Sequence, residues 1–139
     1  MKIRTFEFSR DWMRVRDLWA SAGTGVQLRR SDEPEEIKKK LLRDPELFLI
    51  AEQDGEIIGA VMGGYDGRRG LMYHLAVAHS HRRRGVGTRL QEELEARFRA
   101  LGCLRYYLLV TDDNEDAMEF YKANGCTILP LTVMGKDVA

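Results

Sequence analysis

The first third of the chain shows the spacing of a short strand and two helices. Residues 3–8 alternate between apolar and polar closely enough to predict a strand. Ser9 is a suitable N-cap for a helix whose apolar positions recur at three- and four-residue steps, namely Trp12, Val15, Leu18, Trp19 and Ala22. A second helix is predicted to begin at Ser31 or Asp32, just before Pro34.

The pattern becomes extended after the second helix. Residues 47–52 and 57–65 are apolar runs joined by an Asp-Gly turn at 54–55, which is typical of a β-hairpin. Another Asp-Gly turn, at 66–67, leads into a third apolar run at 71–78. These three segments predict an antiparallel meander.

A strand, a basic turn and a long helix follow one another from residue 71 to residue 101. The turn at 79–84 is followed by a helix with its apolar positions at Val86, Leu90, Leu94, Phe98 and Leu101. A further apolar run occupies residues 104–110. Because a helix separates the runs at 71–78 and 104–110, the crossover makes these two strands parallel.

The last 28 residues contain one more helical segment and two short apolar runs. The helix is predicted to be capped by Asp112 or Asp113 and to end at Gly125. Residues 128–131 and 132–136 are predicted to pair as closing strands.

Length and charge exclude several classes of protein. At 139 residues the chain is expected to form a single domain, residues 1–139. Its 22 basic and 22 acidic side chains balance, so nothing favours a nucleic-acid or membrane partner. Charged residues interrupt every apolar run near the N-terminus, so no signal peptide or membrane span is expected and a cytoplasmic location is predicted.

The cysteines and histidines suggest no redox or metal chemistry. Cys103 and Cys126 are expected to be free thiols. His74, His79 and His81 lie close together in the sequence, but no cysteine or carboxylate stands at ligand spacing around them. No metal is therefore expected.

The turn before the long helix has the features of an anion site. A helix start leaves backbone N–H groups unpaired, and the helix dipole favours negative charge there. Gly85 and Gly87 would let a phosphate approach the backbone, with the arginines at 82–84 beside it. An ordinary tight turn with solvated arginines is the alternative. A nucleoside triphosphate P-loop is excluded because no Gly-Lys-Ser or Gly-Lys-Thr is present, and Leu90 stands where a dinucleotide fingerprint needs glycine.

Residues 82–87, Arg-Arg-Arg-Gly-Val-Gly, resemble the acyl-CoA signature of the GNAT superfamily of N-acetyltransferases. The preceding Leu75-Ala76-Val77 resembles the family's fourth strand, although His79 stands near the usual place of a proline. The resemblance implies that backbone amides of residues 83–88 hold the pyrophosphate of coenzyme A.

A second motif, from Asn114 to Cys126, matches the family pattern of Asn, Ala, Phe-Tyr and Gly at the same spacing. It implies that Asn114 touches the coenzyme and that Tyr121 lies over the thioester sulfur as the catalytic acid; a core aromatic is the alternative for Tyr121. The turn at 62–67 further resembles the small YpeA-like acetyltransferases. The implied coenzyme-binding residues are Leu75, Ala76, Val77, Arg82, Arg83, Arg84, Gly85, Val86, Gly87, Thr88, Asn114 and Tyr121.

The resemblance also implies a fold and a reaction. The fold would be α/β (α+β), with a mixed, mostly antiparallel sheet of about six to seven strands, a splayed parallel pair in the middle and about four helices. The reaction would be transfer of an acetyl group from acetyl-CoA to a primary amine of a small molecule or protein, by direct attack in a ternary complex. A non-catalytic acyl-CoA-binding or regulatory protein on the same fold is the alternative.

The general base and the acceptor are left open by the sequence. In several relatives the base comes from the fourth strand, but strict alternation would point His74 away from the face of Tyr73. Asp66, Tyr73, Asp112 and Asp113 remain candidates. Exposed strand edges would allow a homodimer.

Overall fold

The computed structural model describes residues 1–139, except for the side chain of residue 24. The strands are β1 (Lys2–Thr5), β2 (Phe48–Gln53), β3 (Glu56–Tyr65), β4 (Gly70–Val77) and β5 (Tyr106–Leu108). The helices are α1 (Phe8–Ala20), α2 (Pro34–Arg43), α3 (Val86–Ala100) and α4 (Glu115–Ala123). No helix among the described residues is both long and apolar enough to cross a membrane.

The strands form one mixed sheet in the order β1-β2-β3-β4-β5. All neighbours are antiparallel except β4 and β5, which are parallel, as the crossover through α3 predicted. The parallel pairing begins at Gly70 and Tyr106 and ends at Met72 and Leu108. Beyond this point β4 continues to Val77 without a paired neighbour on that side.

Each face of the sheet carries its own apolar cluster. On the α1/α2 face, Trp19 of α1 and Ile37 of α2 are buried together with Phe48 of β2. On the α3 face, Leu90 and Leu94 of α3 are buried against strand residues, among them Leu49, Val61 and Met72. The helical apolar positions that the sequence predicts are therefore the ones that pack on the sheet.

Two glycines of β3 allow α3 to lie close to the sheet. A Cβ at Gly59 would lie 2.9 Å from Cδ1 of Leu90, and one at Gly63 would lie 2.8 Å from Cδ1 of Leu94. Both distances are shorter than van der Waals contact. The side chains of α3 therefore fill the space that larger residues in β3 would occupy.

The sheet has five strands, so the prediction of about six to seven strands is wrong in number although the fold class is confirmed. Residues 128–131 and 132–136 form no strand, and the parallel pair lies at the edge of the sheet rather than in the middle. Pro130 lacks an N–H donor, and β5 is only three residues long. The outer edge of the sheet thus offers little backbone for a closing strand to pair with.

The helix starts also differ from the predicted caps. The residue before α1 is Glu7, and its N–H donates to the carboxylate of Asp11 at 2.8 Å, whereas Ser9 lies within the helix. For α4, Oδ1 of Asn114 accepts the N–H of Ala117 at 3.2 Å. Asn114 and not Asp112 or Asp113 is therefore the cap.

Candidate functional site

The turn before α3 presents a row of unpaired backbone donors. Arg83 and Gly85 have positive φ angles of 61° and 80°, and this alternation turns successive N–H groups toward the same side. No described backbone or side-chain group accepts a hydrogen bond from the N–H groups of residues 83–88, and α3 has no side-chain cap. The row includes Val86, Gly87 and Thr88 of the first helical turn. Such a concave row of donors at a helix start is suited to a phosphate.

The three arginines of the turn have different environments. Nε of Arg82 donates to the carbonyl of Val77 at 3.1 Å, so this side chain ties the turn to the end of β4. Arg83 and Arg84 are exposed, and no described carboxylate lies within 4.0 Å of any of the three. Their positive charges are therefore uncompensated beside the row of N–H groups.

Leu75, Ala76 and Val77 lie where β4 has lost its parallel neighbour. On one side β3 pairs with this part of β4, with Gly59 opposite Val77 and Ala60 opposite Ala76. On the other side the pairing with β5 has already ended at Met72. The edge of β4 between Tyr73 and Val77 therefore carries backbone groups that β5 does not satisfy.

A β-bulge at His74 changes the direction of the side chains along β4. The register shifts between Ala60 and Met62 of the partner strand, and His74 has a φ of 49°. As a result Met72 packs on the α3 face but Ala76 packs on the α1/α2 face, although two residues of the same parity would normally share a face. The prediction that His74 points away from Tyr73 is therefore wrong.

His74 shares the α1/α2 face with Tyr73, and it is held by a buried carboxylate. The two rings lie 6.5 Å apart, and Nε2 of His74 is 2.8 Å from Oδ1 of Asp32. Asp32 also accepts the N–H of Arg29 at 2.9 Å. Burial raises the pKa of the Asp32 carboxyl, but the hydrogen bonds from His74 and Arg29 outweigh burial, and the pKa is lowered.

The Asp32–His74 pair is not predicted by any local sequence pattern. Its two residues are 42 positions apart, and nothing in the sequence of β4 marks the bulge that brings them together. The one local signal is the acidic residue at the start of the second helix, for which the sequence predicts only a helix cap.

Tyr121 lies on the α3 face, close to the turn before α3. Its neighbour Phe120 packs against the start of α3, since a Cβ at Gly87 would lie 3.0 Å from Cζ of that ring. Tyr121 itself packs against the apolar cluster of the α3 face, and its hydroxyl has no hydrogen-bond partner among the described residues. Burial raises the pKa of Tyr121 to about 12, and the neighbouring Cys126 contributes in the same direction.

Asn114 lies at the first residue before α4, with its side-chain oxygen committed to the helix cap. Its amide nitrogen makes no hydrogen bond to a described group. The side chain therefore keeps a donor for another partner while its oxygen holds the helix start.

The predicted candidates for the general base are unevenly suited. The carboxylate of Asp66 accepts the N–H groups of Arg68 and Arg69, and these bonds lower its pKa. Burial, with a smaller contribution from Asp44, raises the pKa of Tyr73. A base acts by accepting a proton, so the lowered pKa weakens Asp66 in this role.

Among the described residues, no three His, Cys, Asp or Glu side chains come together as a metal site would require.

Comparison with known proteins places these features in a family. The acetyltransferase (GNAT) family model matches residues 12–126. The chain is 39% identical over 137 residues to an acetyltransferase of Pectobacterium atrosepticum, and the match covers 98% of this chain and 94% of that protein.

Two solved structures share the fold over most of the chain. Ard1 from Thermoplasma volcanium matches with a TM-score of 0.78 and 26% identity, covering 92% of this chain and 83% of that one. Naa20 from Chaetomium thermophilum, solved in complex with a bisubstrate analogue, matches with a TM-score of 0.76 and 25% identity, covering 90% and 70%.

Proposed function

Because the chain belongs to the acetyltransferase (GNAT) family, we propose that it transfers the acetyl group of acetyl-CoA to a primary amine of a small molecule or protein. The acceptor amine attacks directly in a ternary complex, and no metal takes part. Acetyl-CoA supplies an activated acyl group on a thiol leaving group. The chain must bind the coenzyme, provide hydrogen-bond donors to the negative charge that develops on the acetyl oxygen, and place a proton donor near the sulfur.

The observation that carries this proposal is the row of unpaired N–H groups at residues 83–88. A pyrophosphate offers acceptor oxygens on a short, doubly charged unit, which a curved row of backbone donors can match. Arg83 and Arg84 add charge without being neutralised by a described carboxylate. Arg82 holds the turn in place through Val77, so its role in this proposal is one of positioning.

The open edge of β4 can supply the hydrogen-bond donors for the developing negative charge. Backbone N–H groups around Leu75 to Val77 are fixed by the pairing of β4 with β3 before any substrate arrives. Donors fixed in advance can stabilise negative charge on the acetyl oxygen without reorganisation. In the proposed complex the pantetheine arm lies along this edge, where the pairing of β4 with β5 has ended.

Tyr121 is the proposed acid. The pKa of Tyr121 is raised to about 12, whereas that of a thiol is about 8.5. The phenol is therefore still protonated at pH values at which the released thiol ionises. It can therefore donate a hydrogen bond to the sulfur as charge develops there. Asn114, with its free amide nitrogen, is the proposed further contact to the coenzyme.

Direct transfer is favoured over a covalent acyl-enzyme because the thiols are engaged elsewhere. Cys103 is buried, and its Sγ donates to the carbonyl of Arg105 at 3.3 Å. Sγ of Cys126 lies 3.6 Å from the amide nitrogen of Gln91. The cytoplasmic location, the single domain and the homodimer remain predictions from the sequence.

The test is calorimetric titration with acetyl-CoA, CoA and ATP at two salt concentrations. We expect acetyl-CoA and CoA to bind and ATP not to bind, followed by thiol release in the presence of suitable amines. Binding without turnover on any amine would favour a non-catalytic acyl-CoA-binding protein. Absence of binding to all three would contradict the proposal.

A matched pair of glycine variants locates the binding site. Gly85 and Gly55 have nearly the same φ, 80° and 78°, and in both cases nothing lies within 4 Å of an added Cβ. Gly85→Asp and Gly55→Asp therefore introduce the same strain and the same charge at two places. We expect Gly85→Asp to weaken acetyl-CoA binding by about tenfold or more, because its carboxylate would repel the pyrophosphate, and Gly55→Asp to bind normally. Equal affinities would show that the turn before α3 is not the cradle.

A further inference from the structure

A second concave site lies on the α1/α2 face, next to the stretch where β4 and β5 still pair. Its volume is about 510 Å³. Lys40 and Arg43 of α2 form one wall and Arg69 of the β3–β4 turn forms another, while Tyr73 of β4 and Tyr107 of β5 line the floor. None of these residues belongs to the row of N–H groups before α3.

The lysine of this cavity is neutralised by a carboxylate within the cavity. Nζ of Lys40 lies 2.5 Å from Oδ2 of Asp44, and both side chains are largely buried. Asp66 is the other carboxylate that lines the cavity. It accepts hydrogen bonds from two backbone N–H groups of its own turn and lies within electrostatic range of Arg43. Both acidic groups of the cavity thus already have partners.

The arginines of this cavity are not neutralised in the same way. Arg43 donates to the carbonyl of Tyr65 at 3.2 Å, and the guanidinium of Arg69 lies over the ring of Tyr107 at 5.7 Å. Arg105, which does not line the cavity, lies over the same ring at 5.3 Å. No described carboxylate comes within 4.0 Å of Arg43, Arg69 or Arg105. Planar guanidinium groups with free donors next to tyrosine rings are suited to bind carboxylate or phosphate.

We propose that this cavity binds the anionic end of the acceptor, so that the substrates are amines that also carry a carboxylate or a phosphate. The inference rests on the proposed acetyl transfer. Tyr73 of the cavity and the N–H groups at residues 75–77 lie on the same strand, and at about 3.3 Å per residue they are roughly 7–13 Å apart. The anion and the reacting amine of the acceptor are therefore separated by several bonds.

In this proposal the two faces of the sheet have different roles, one in binding the acceptor and the other in protonating the sulfur. The cavity and His74, held by Asp32, lie on the α1/α2 face, whereas Tyr121 packs on the α3 face. An acceptor anchored in the cavity reaches the open edge of β4 from one side, and the leaving sulfur meets Tyr121 from the other. This arrangement keeps the acceptor out of the path of the departing thiol.

The test compares matched amines in two series. In one series an amine with a carboxylate is compared with its primary amide, and in the other a phosphate monoester is compared with its free alcohol. We expect the anionic member to have a kcat/KM about tenfold or more higher in at least one series, since hydrogen bonds to a charged group are among the stronger ones. The series that shows the preference identifies the anion. Equal kcat/KM values in both series would overturn the inference.

Variants connect the preference to the cavity. Arg43→Gln and Arg69→Gln, alone and together, are expected to bring the ratio of kcat/KM values toward one. Arg99→Gln is the matched control, because Arg99 is exposed on α3 and has no ion pair among the described residues. A preference that persists in the double variant would overturn the assignment to this cavity.

A binding readout separates this inference from the proposed function. Titration with inorganic phosphate and with acetate, followed by NMR shifts of the amides at residues 66–70, requires no turnover. Shifts that disappear in the double variant would support the anion site even when no amine is acetylated. Normal acetyl-CoA binding without such shifts and without substrate preference would overturn the anion site alone, and loss of acetyl-CoA binding would overturn the proposed function.

Discussion

The chain up to Cys103 and the chain after it are built differently. Every buried residue lies in the first part, where both faces of the sheet are covered by helices. In residues 104–139, which are fully described, no residue is buried, and Leu104, Met134 and Val138 are at least 90% exposed. The first part therefore holds its shape by its own packing.

The second part is joined to the first by the short β4–β5 pairing and by side-chain contacts. Tyr106 stacks on Phe98 at 5.5 Å between ring centres, and Phe120 packs on the start of α3. Near the C-terminus, Arg30 contacts the carbonyl of Ala139. A ligand between β4 and β5 would touch both parts, so it would add order mainly to the second. The scaffold and the ligand-dependent region can thus be separated by experiment.

The largest expected effect is in the first part, at Asp11. This carboxylate is fully buried, and it bonds to Arg4 at 2.8 and 2.9 Å and to Arg14 at 3.2 Å. Asp11→Ala would leave Arg4 without its main partner, so we expect a loss of about 3–5 kcal/mol in the free energy of unfolding, measured with urea. Asp17→Ala, on an exposed position of the same helix, should change it by less than about 0.5 kcal/mol. Similar losses of unfolding free energy in the two variants would contradict the distinction between the buried carboxylate and the exposed one.

The same carboxylate predicts acid sensitivity. Burial alone would raise the pKa of Asp11, but the hydrogen bonds from Arg4 and from the Glu7 N–H and the charges of Arg4 and Arg14 outweigh burial and lower it. A lowered folded-state pKa gives stability that is complete above the ordinary value of about 3.9 and is lost as the pH falls through the folded value. When the pH is lowered below about 4, the free energy of unfolding of Asp11→Asn should therefore fall by less than that of the wild type.

The next effect separates activity from stability in the second part. Tyr121→Phe is expected to lower turnover by about 100-fold with little change in acetyl-CoA affinity, because it removes the proposed acid but no hydrogen bond. Tyr106→Phe should do the reverse, since its hydroxyl donates to Glu95 at 2.6 Å and accepts from Gln91 at 2.7 Å. We expect it to cost about 1 kcal/mol of stability while turnover is kept. Unchanged turnover in Tyr121→Phe would remove it as the acid.

Addition of acetyl-CoA tests the comparison directly by amide hydrogen exchange. At a concentration of 100 times Kd, binding stabilises the folded protein by about 2.7 kcal/mol. We expect the larger gain in protection at residues 83–88 and 106–126, and little gain in β1 and β2. A uniform gain along the chain would indicate that both parts already unfold as one unit.

The smallest effect comes from the same substitution at two glycines of the first part: Gly63 faces core side chains of α3, whereas Gly87 faces Phe120 of the second part. Gly63→Ala would bring a Cβ to 2.8 Å from Leu94 and 3.1 Å from Phe98, both buried, and is expected to cost about 1–3 kcal/mol. Gly87→Ala meets Phe120, which is only half-buried, and alanine also favours the helix. Its cost should stay below about 1 kcal/mol. Equal costs, measured by thermal unfolding, would show that α4 is held as firmly as the core.

The elements of the first part could be predicted from the sequence because burial leaves a periodic trace. The apolar steps of α1 and α3 and the hairpin of β2 and β3 are local patterns, and each one reports a face that packs on something. The turn before α3 is also a local pattern, since its arginines and glycines all lie between residues 82 and 87. The family could be recognised for the same reason.

Other features were decided only by the tertiary structure. The bulge at His74 depends on how β4 meets β3, and it brings Asp32 to His74 although alternation predicted otherwise. The cavity with Arg43 and Arg69 is assembled from α2, a turn and two strands, which no short pattern records. The prediction that residues 128–131 and 132–136 form closing strands was wrong. An apolar run shows what a segment can bury, whereas a strand also needs a sheet edge with which to pair. Sequence patterns report local burial, but contacts between distant segments follow only from the way the faces meet.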